Sequence, residues 1–395
     1  MNSTPRSTSP VSPQPWQRPN SVGLVEPHDF RFAEPPDQMV LESGRTLGPV
    51  DLRYETYGEL NAARDNAVLV FHATSGSHHA AGYHTPGDRR PGWWDAMIGP
   101  GKAFDTNRYH VVCSNFIGGC HGSTGPASVD PATGKPYGVH FPVITIGDMV
   151  TAQRELVRHL GLDKIYCVAG GSMGGMQALE WTVRFPEMVQ SAIILASTAT
   201  ISAQGIAFHA IGRNAITTDP GWHEGNYYGR DHPRRGLATA RMVGHLTYLS
   251  DESLGQRFGR KLQERDRFEY DFSHEFEVES YLDYKGRQFA EQFDANSYLY
   301  ITKAMDYYDL NGRSGGLAAA FGPSHAKFLL ASFTSDWLYP SRQSKAIVSA
   351  LMQAGNDVSY VEIDSPHGHD SFLIETERQT RVISSFLASV RQRRQ

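Results

Sequence analysis

A serine walled by glycines is the residue in this chain best placed to act as a nucleophile. Gly170-Gly171-Ser172-Met173-Gly174 follows a strand-like run, Lys164–Ala169, and precedes a helix-like one, Gly175–Phe185. That context predicts a nucleophile elbow, a sharp strand-to-helix turn that lifts the serine hydroxyl clear of the backbone. Glycine is favoured beside the serine because a Cβ there would strike the neighbouring strand or helix.

A serine needs a base, and the base needs an orienting acid. An apolar run at Phe328–Phe333 ends in Thr334-Ser335-Asp336-Trp337, and another at Val358–Ile363 runs into Ser365-Pro366-His367-Gly368-His369-Asp370. Serine, Asp336 and a histidine thus stand at three strand ends, in the chain order of an α/β hydrolase-type site. Asp336 has a plainer alternative, capping the helix that begins near Pro340. Two histidines, His367 and His369, compete for the base. The oxyanion formed at the attacked carbonyl needs backbone N–H donors. Met173, directly after the nucleophile, is one candidate. Thr74 is the other, in the loop His72-Ala73-Thr74-Ser75-Gly76 that follows an early strand. The HGHD pair and the stretch holding His78, His79 and His84 invite a metal reading. Neither set has further ligands at zinc-site spacing, so no metal is expected.

The elements that must position these groups follow from hydrophobic pattern. Short unbroken apolar runs at Ala67–Phe71, Tyr109–Cys113, Ile165–Ala169, Ala192–Ala196, Phe328–Phe333 and Val358–Ile363 suit strands covered on both faces, as in a parallel sheet. Helical patterns at Ile146–Leu160 (Gly161 as C-cap) and Ser341–Gln353 alternate with them. The class is α/β: an α/β hydrolase fold with a mostly parallel sheet. MVLES and DLRYETYG, from Met39 onward, alternate like half-exposed antiparallel strands. From about Ile201 the rhythm breaks. Leu254–Asp266, Val278–Phe293 and Ser297–Tyr308 read as helices, so residues 201–318 are expected to form a helical lid inserted between core segments 37–200 and 319–395. Residues Met1–Asn20 are rich in Ser, Thr and Pro, and a disordered tail is expected over 1–36.

The chain has 395 residues, 40% hydrophobic and 20% charged, with a formal net charge of -5. That balance argues against a nucleic-acid partner, which would require a concentrated positive face. No apolar run reaches the roughly 18 residues that would span a membrane, and the start of the chain lacks a secretory-signal pattern. Cys113, Cys120 and Cys167 form no CxxC, so reduced thiols and a cytoplasmic location are expected.

Longer stretches say more. Pro91–Asp95 with the following IGPGKAFDTNRY, then SNFIGGCHGSTGPASVDPATGKPYG, FPVITIGDMV, GGSMGGMQALEW, LATARMVGHLTYLS, SDWLYP and SPHGHDSFL resemble the homoserine O-acyltransferases of the α/β hydrolase superfamily. The resemblance runs from about Ala67 to Leu373. It implies Ser172, Asp336 and His369 as the triad, with Arg241 binding the amino-acid carboxylate and Asp370 its ammonium. Arginine offers a planar fork suited to a carboxylate. Read alone, Arg241 would be one more solvated charge near Arg230, Arg234 and Arg235.

The chain departs from the family at HATSG, where HALTG is common. Succinyl-using members carry an arginine two residues past the catalytic aspartate. Here that position is Leu338, so the resemblance implies acetyl-CoA as donor substrate, L-homoserine as acceptor and no cofactor. A serine-acylating branch differs by one methylene in its acceptor, worth only about 1–3 kcal/mol. The resemblance also implies a homodimer. Tyr281, Tyr284, Tyr298 and Tyr300 are candidates for either that interface or the lid's own core.

Overall fold

The structure, a computed structural model, describes residues 14–392. In chain order the strands are β1 (His28–Phe32), β2 (Met39–Val40), β3 (Thr46–Leu47), β4 (Val50–Tyr57), β5 (Ala67–Phe71) and β6 (His110–Ser114). They continue with β7 (Val129–Asp130), β8 (Lys135–Pro136), β9 (Cys167–Gly171), β10 (Ser191–Leu195), β11 (Lys327–Phe333) and β12 (Asp357–Ile363). Eight of them form one sheet in the order β1-β4-β6-β5-β9-β10-β11-β12, while β2-β3 and β7-β8 make two small hairpin sheets. The β1–β4 and β4–β6 pairs are antiparallel. From β6 to β12 every pairing is parallel.

The buried apolar runs lie at the centre because both of their faces are covered. Every residue of β5, β9 and β10 is buried. One face packs on α1 (Ile146–His159) and α2 (Met173–Arg184), with Phe71, Phe116 and Trp181 in a common core. The other face packs Trp94, Phe104 and Phe333 against Phe386 and Leu387 of the carboxyl-terminal helix at Thr376–Gln392. The start of α1 is set by a capping box. Thr145 Oγ1 accepts from Asp148 N at 3.0 Å and Asp148 Oδ2 accepts from Thr145 N at 3.0 Å, satisfying N–H groups that the helix itself cannot.

Between β10 and β11 lie six helices: α3 (Ala203–Thr217), α4 (Arg234–Tyr248), α5 (Asp251–Arg257), α6 (Glu277–Ala290), α7 (Ala295–Asp306) and α8 (Gly316–Phe321). Several have a small core of their own in Ile216, Tyr227, Leu237, Ala240 and Ala295. The pattern at Leu254–Asp266 overstates its helix. α5 ends at Arg257, and Gly259 turns the chain with φ 53°. Of the four tyrosines named above, Tyr300 is buried and Tyr284 exposed, with Tyr281 and Tyr298 between.

The expectation of a disordered tail over 1–36 fails over its described part. Residues 1–13 lie outside the described residues, whereas Pro15–Gln17 form a 3-10 turn and His28–Phe32 form the sheet's edge strand. Ion pairs across the β1–β4 ladder, Arg31 with Asp51 at 2.7 Å and Arg53 with Asp29 at 2.8 Å, hold that edge. Phe30 stacks on His159 of α1 with centroids 4.4 Å apart. Those partners are distant in sequence, so local composition gave no sign of them.

Candidate active site

β9 delivers the chain into Ser172 and α2 carries it away. Ser172 adopts φ 58°, ψ -127°, a region costing a non-glycine residue on the order of 1–3 kcal/mol. Its surroundings enforce the turn: Ser172 N–H donates to Leu195 O at 3.0 Å, and Ser197 Oγ donates to Ser172 O at 2.7 Å. The glycines are required by close approach. A Cβ on Gly174 would lie 2.1 Å from Phe71 O, and one on Gly170 would lie 2.4 Å from Gly174 C.

Asp336, in the loop after β11, and His369, in the 3-10 turn Gly368–Asp370 after β12, are both buried. His369 Nδ1 and Asp336 Oδ2 are 2.8 Å apart. Asp336 Oδ1 accepts from Leu338 N at 3.0 Å and from Tyr339 N at 2.9 Å. The carboxylate therefore organises its own loop and also meets the imidazole, but it caps no helix: the helix at Ser341–Gln353 has Pro340 as its N-cap and no side-chain cap bond. The two histidines differ in their contacts: His369 carries the bond to Asp336, while the His367 backbone N–H donates to Ser365 Oγ at 3.3 Å. The His369 ring is held between Tyr339, Tyr248 and Phe372, at centroid distances of 5.1, 5.9 and 5.4 Å. With Nδ1–H directed at the carboxylate, Nε2 is the proton acceptor.

Ser172 and His369 open onto one cleft, which Thr74, Ser75, Arg241, Tyr248 and Asp370 also line. A second cleft shares Thr74, Ser75, Ser172, Arg241 and Tyr248, and extends to Phe289, Phe293, Tyr298 and Leu338. Met173 is the first residue of α2, so its N–H has no intrahelical acceptor. The expected site residues thus meet at the two joined clefts or, for Asp336 and Met173, directly behind them.

Arg241 reaches the cleft from α4. Its guanidinium carbon sits 4.6 Å from the Phe289 ring centroid and 5.5 Å from that of Tyr248, and Nη1 donates to Ser75 Oγ at 3.3 Å. Among the described residues it has no salt-bridge partner, and its buried Nε has no hydrogen-bond partner. Aromatic faces thus hold the cation without neutralising it. Burial pushes the Asp370 carboxyl above the usual carboxylate range, against the opposing pull of His369 and Arg241. Burial also lowers His245 to about 3, with Arg241 adding to the effect, so it is a neutral neighbour.

Residues beyond the sequence reading help shape the site. Tyr248 and Phe289 carry Arg241, and their aromatic character alone gave no sign of it. His72, stacked on Phe116 at 4.5 Å and bonded through Nδ1 to Ala73 O at 2.8 Å, braces the loop bearing Thr74. Burial lowers it to about 3.

The sheet, the elbow and the Ser–His–Asp geometry define an α/β hydrolase, and a family model described as alpha/beta hydrolase fold matches residues 66–376. The chain is 57% identical over 372 residues to homoserine O-acetyltransferase of Solidesulfovibrio magneticus, covering 93% of each chain. It superposes on the crystal structure of homoserine O-acetyltransferase from Bacillus anthracis with a TM-score of 0.87 and 31% identity, covering 92% of this chain and 98% of that one. Esterase E22 is also similar, with TM-score 0.84 and 31% identity over 92% of this chain and 100% of its own. The chain belongs to the homoserine O-acetyltransferase family of α/β hydrolase-fold acyltransferases.

Proposed function

We propose that the chain transfers an acetyl group from acetyl-CoA to the hydroxyl of L-homoserine through an acetyl-serine intermediate, as a step in methionine biosynthesis. The observation that carries this reading is the meeting, in one cleft, of Ser172 and His369 with a cation and an anion, Arg241 and Asp370. A plain hydrolase needs only the first pair. An amino-acid acceptor needs the second, one charge for its carboxylate and one for its ammonium.

In the first half-reaction His369 Nε2 takes the Ser172 proton as Oγ attacks the thioester carbonyl. The N–H groups of Met173 and Thr74 stabilise the oxyanion. The carbon–sulfur bond breaks, and CoA thiolate leaves with the proton from His369. In the second, homoserine held by Arg241 and Asp370 gives its hydroxyl proton to His369 and attacks the acetyl carbon. The proton returns to Ser172 as its ester bond breaks. Water competes at this stage, and the helices between β10 and β11 narrow its access.

Leu338 lines the cleft of Ser172, and an uncharged side chain there suits acetyl rather than succinyl donors. The likeness to esterase E22 keeps hydrolysis as the second reading. We include in the proposal a cytoplasmic homodimer. Among the described residues no helix is long and apolar enough to cross a membrane, the three cysteines are unpaired, and exposed Tyr284 and Leu246 offer apolar surface for an interface.

The test is CoA release from acetyl-CoA with and without L-homoserine, beside L-serine and succinyl-CoA as alternative substrates. Release that requires homoserine, with acetyl trapped on Ser172 in its absence, supports the reading. Equal release without homoserine makes the protein an esterase, and near-normal turnover by Ser172→Ala would overturn the covalent scheme.

A further inference from the structure

Glu55 lies on β4 opposite Cys113 of β6 and is 0% exposed. Its carboxylate gathers an unusual company. Tyr57 Oη and His79 Nδ1 reach Oε2 at 2.6 and 3.0 Å, and His84 Nε2 reaches Oε1 at 2.6 Å. His78 Nε2 stands 3.4 Å from the same Oε1 with its side chain 9% exposed. Neither ring nitrogen of His78 has a hydrogen-bond partner among the described residues. A buried imidazole 3.4 Å from a buried carboxylate, with neither ring nitrogen in a well-formed hydrogen bond, calls for an explanation.

We propose that Glu55, His78 and His84 form a binding site for one divalent transition cation of the zinc class, with a structural role. One ligand atom from each lies within 4.8 Å of the others. Zinc bonds of about 2.0–2.1 Å in a tetrahedron set ligand atoms about 3.3 Å apart; the His78–Glu55 separation of 3.4 Å matches, and the hydrogen-bonded His84–Glu55 pair at 2.6 Å opens when the cation replaces its proton. The cation displaces the proton shared by His84 Nε2 and Glu55 Oε1, which passes to solvent. His84 is 37% exposed, which provides entry and room for a water as fourth ligand. Tyr57 and His79 hold the other carboxylate oxygen, the outer arrangement that orients a ligating carboxylate.

Spacing along the chain does not reveal this site, because Glu55 lies on β4 while both histidines lie in the loop segment after β5. The site would brace the segment that follows the Thr74 loop. Tyr57 Oη accepts from Ala80 N at 2.7 Å and Ala81 N at 3.2 Å, and His78 N–H donates to Asn115 Oδ1 at 2.6 Å.

The test uses the untagged full chain dialysed against metal-free buffer, then titrated with Co²⁺ and, separately, Zn²⁺. About one equivalent of Co²⁺ should bind with the visible absorption of a low-coordinate site, and Zn²⁺ should raise the melting midpoint. His84→Ala, at the exposed position, should keep native circular dichroism and weaken Co²⁺ binding about tenfold or more. His78→Ala reports on the buried ligand if it folds. Absence of a saturable Co²⁺ band in the wild type, or equal affinity in wild type and His84→Ala, would overturn the proposal. These readouts do not depend on acetyl transfer.

Discussion

The two oxygens of Asp336 are divided between two tasks: Oδ2 lies 2.8 Å from His369 Nδ1, while Oδ1 accepts the backbone N–H groups of Leu338 and Tyr339. In Asp336→Asn the amide oxygen would keep the two backbone bonds, leaving the amide nitrogen facing the imidazole. That forces the proton onto Nε2, which can then no longer accept from Ser172. The expected loss is about 10⁴-fold in kcat, read as CoA release, with the melting midpoint little changed.

Among the described residues Arg241 is held by aromatic faces and by Ser75, and no carboxylate forms a salt bridge with it. Arg241→Lys preserves the charge but loses the planar fork and the stacking. Charge-assisted hydrogen bonds are worth about 1.5–3 kcal/mol, so KM for homoserine should rise about 10- to 100-fold. The KM for acetyl-CoA should stay near wild type. Steady-state kinetics with each substrate varied would separate the two, and an equal rise in both would deny Arg241 its acceptor role.

Asp370 sets a pH dependence. Burial raises its pKa, and it must be ionised to hold an ammonium. Homoserine binding should therefore weaken as pH falls through that raised value, and Asp370→Asn should remove this limb of the KM profile. Stability runs the other way. Between the unfolded and the higher folded pKa the native state binds more protons, so stability falls as pH rises through this window and the deficit persists at pH 7. Asp370→Asn should then raise the melting midpoint at pH 7 while weakening homoserine binding.

Leu338 lines the cleft that Ser172 shares, and the proposed function gives it the choice of acyl donor. Leu338→Arg places a cation where a succinyl carboxylate would lie. The ratio of kcat/KM for succinyl-CoA to that for acetyl-CoA should rise about tenfold or more, measured by CoA release from each donor. An unchanged ratio would remove Leu338 from donor selection.

Much of the architecture was legible in the chain because its causes are local. The parallel strands announce themselves as unbroken apolar runs, and α9 at Ser341–Gln353 was readable to the residue from its Pro340 start and Gly355 stop. Edge strand β1 was not, because HDFRF is specified by partners on β4 and α1. The helix pattern at Leu254–Asp266 ran too long because a positive-φ glycine, not loss of periodicity, ends the element.

The sequence by itself determined the elbow, the Ser–Asp–His order and the fold class, since a strand, a glycine-lined turn and a helix specify one another over a dozen neighbouring residues. Tertiary structure alone decided how Phe289 and Tyr248 hold Arg241, and that Glu55 lies among three histidines. Each of these depends on where side chains from distant segments point once the sheet is packed, and spacing along a chain carries no record of that direction.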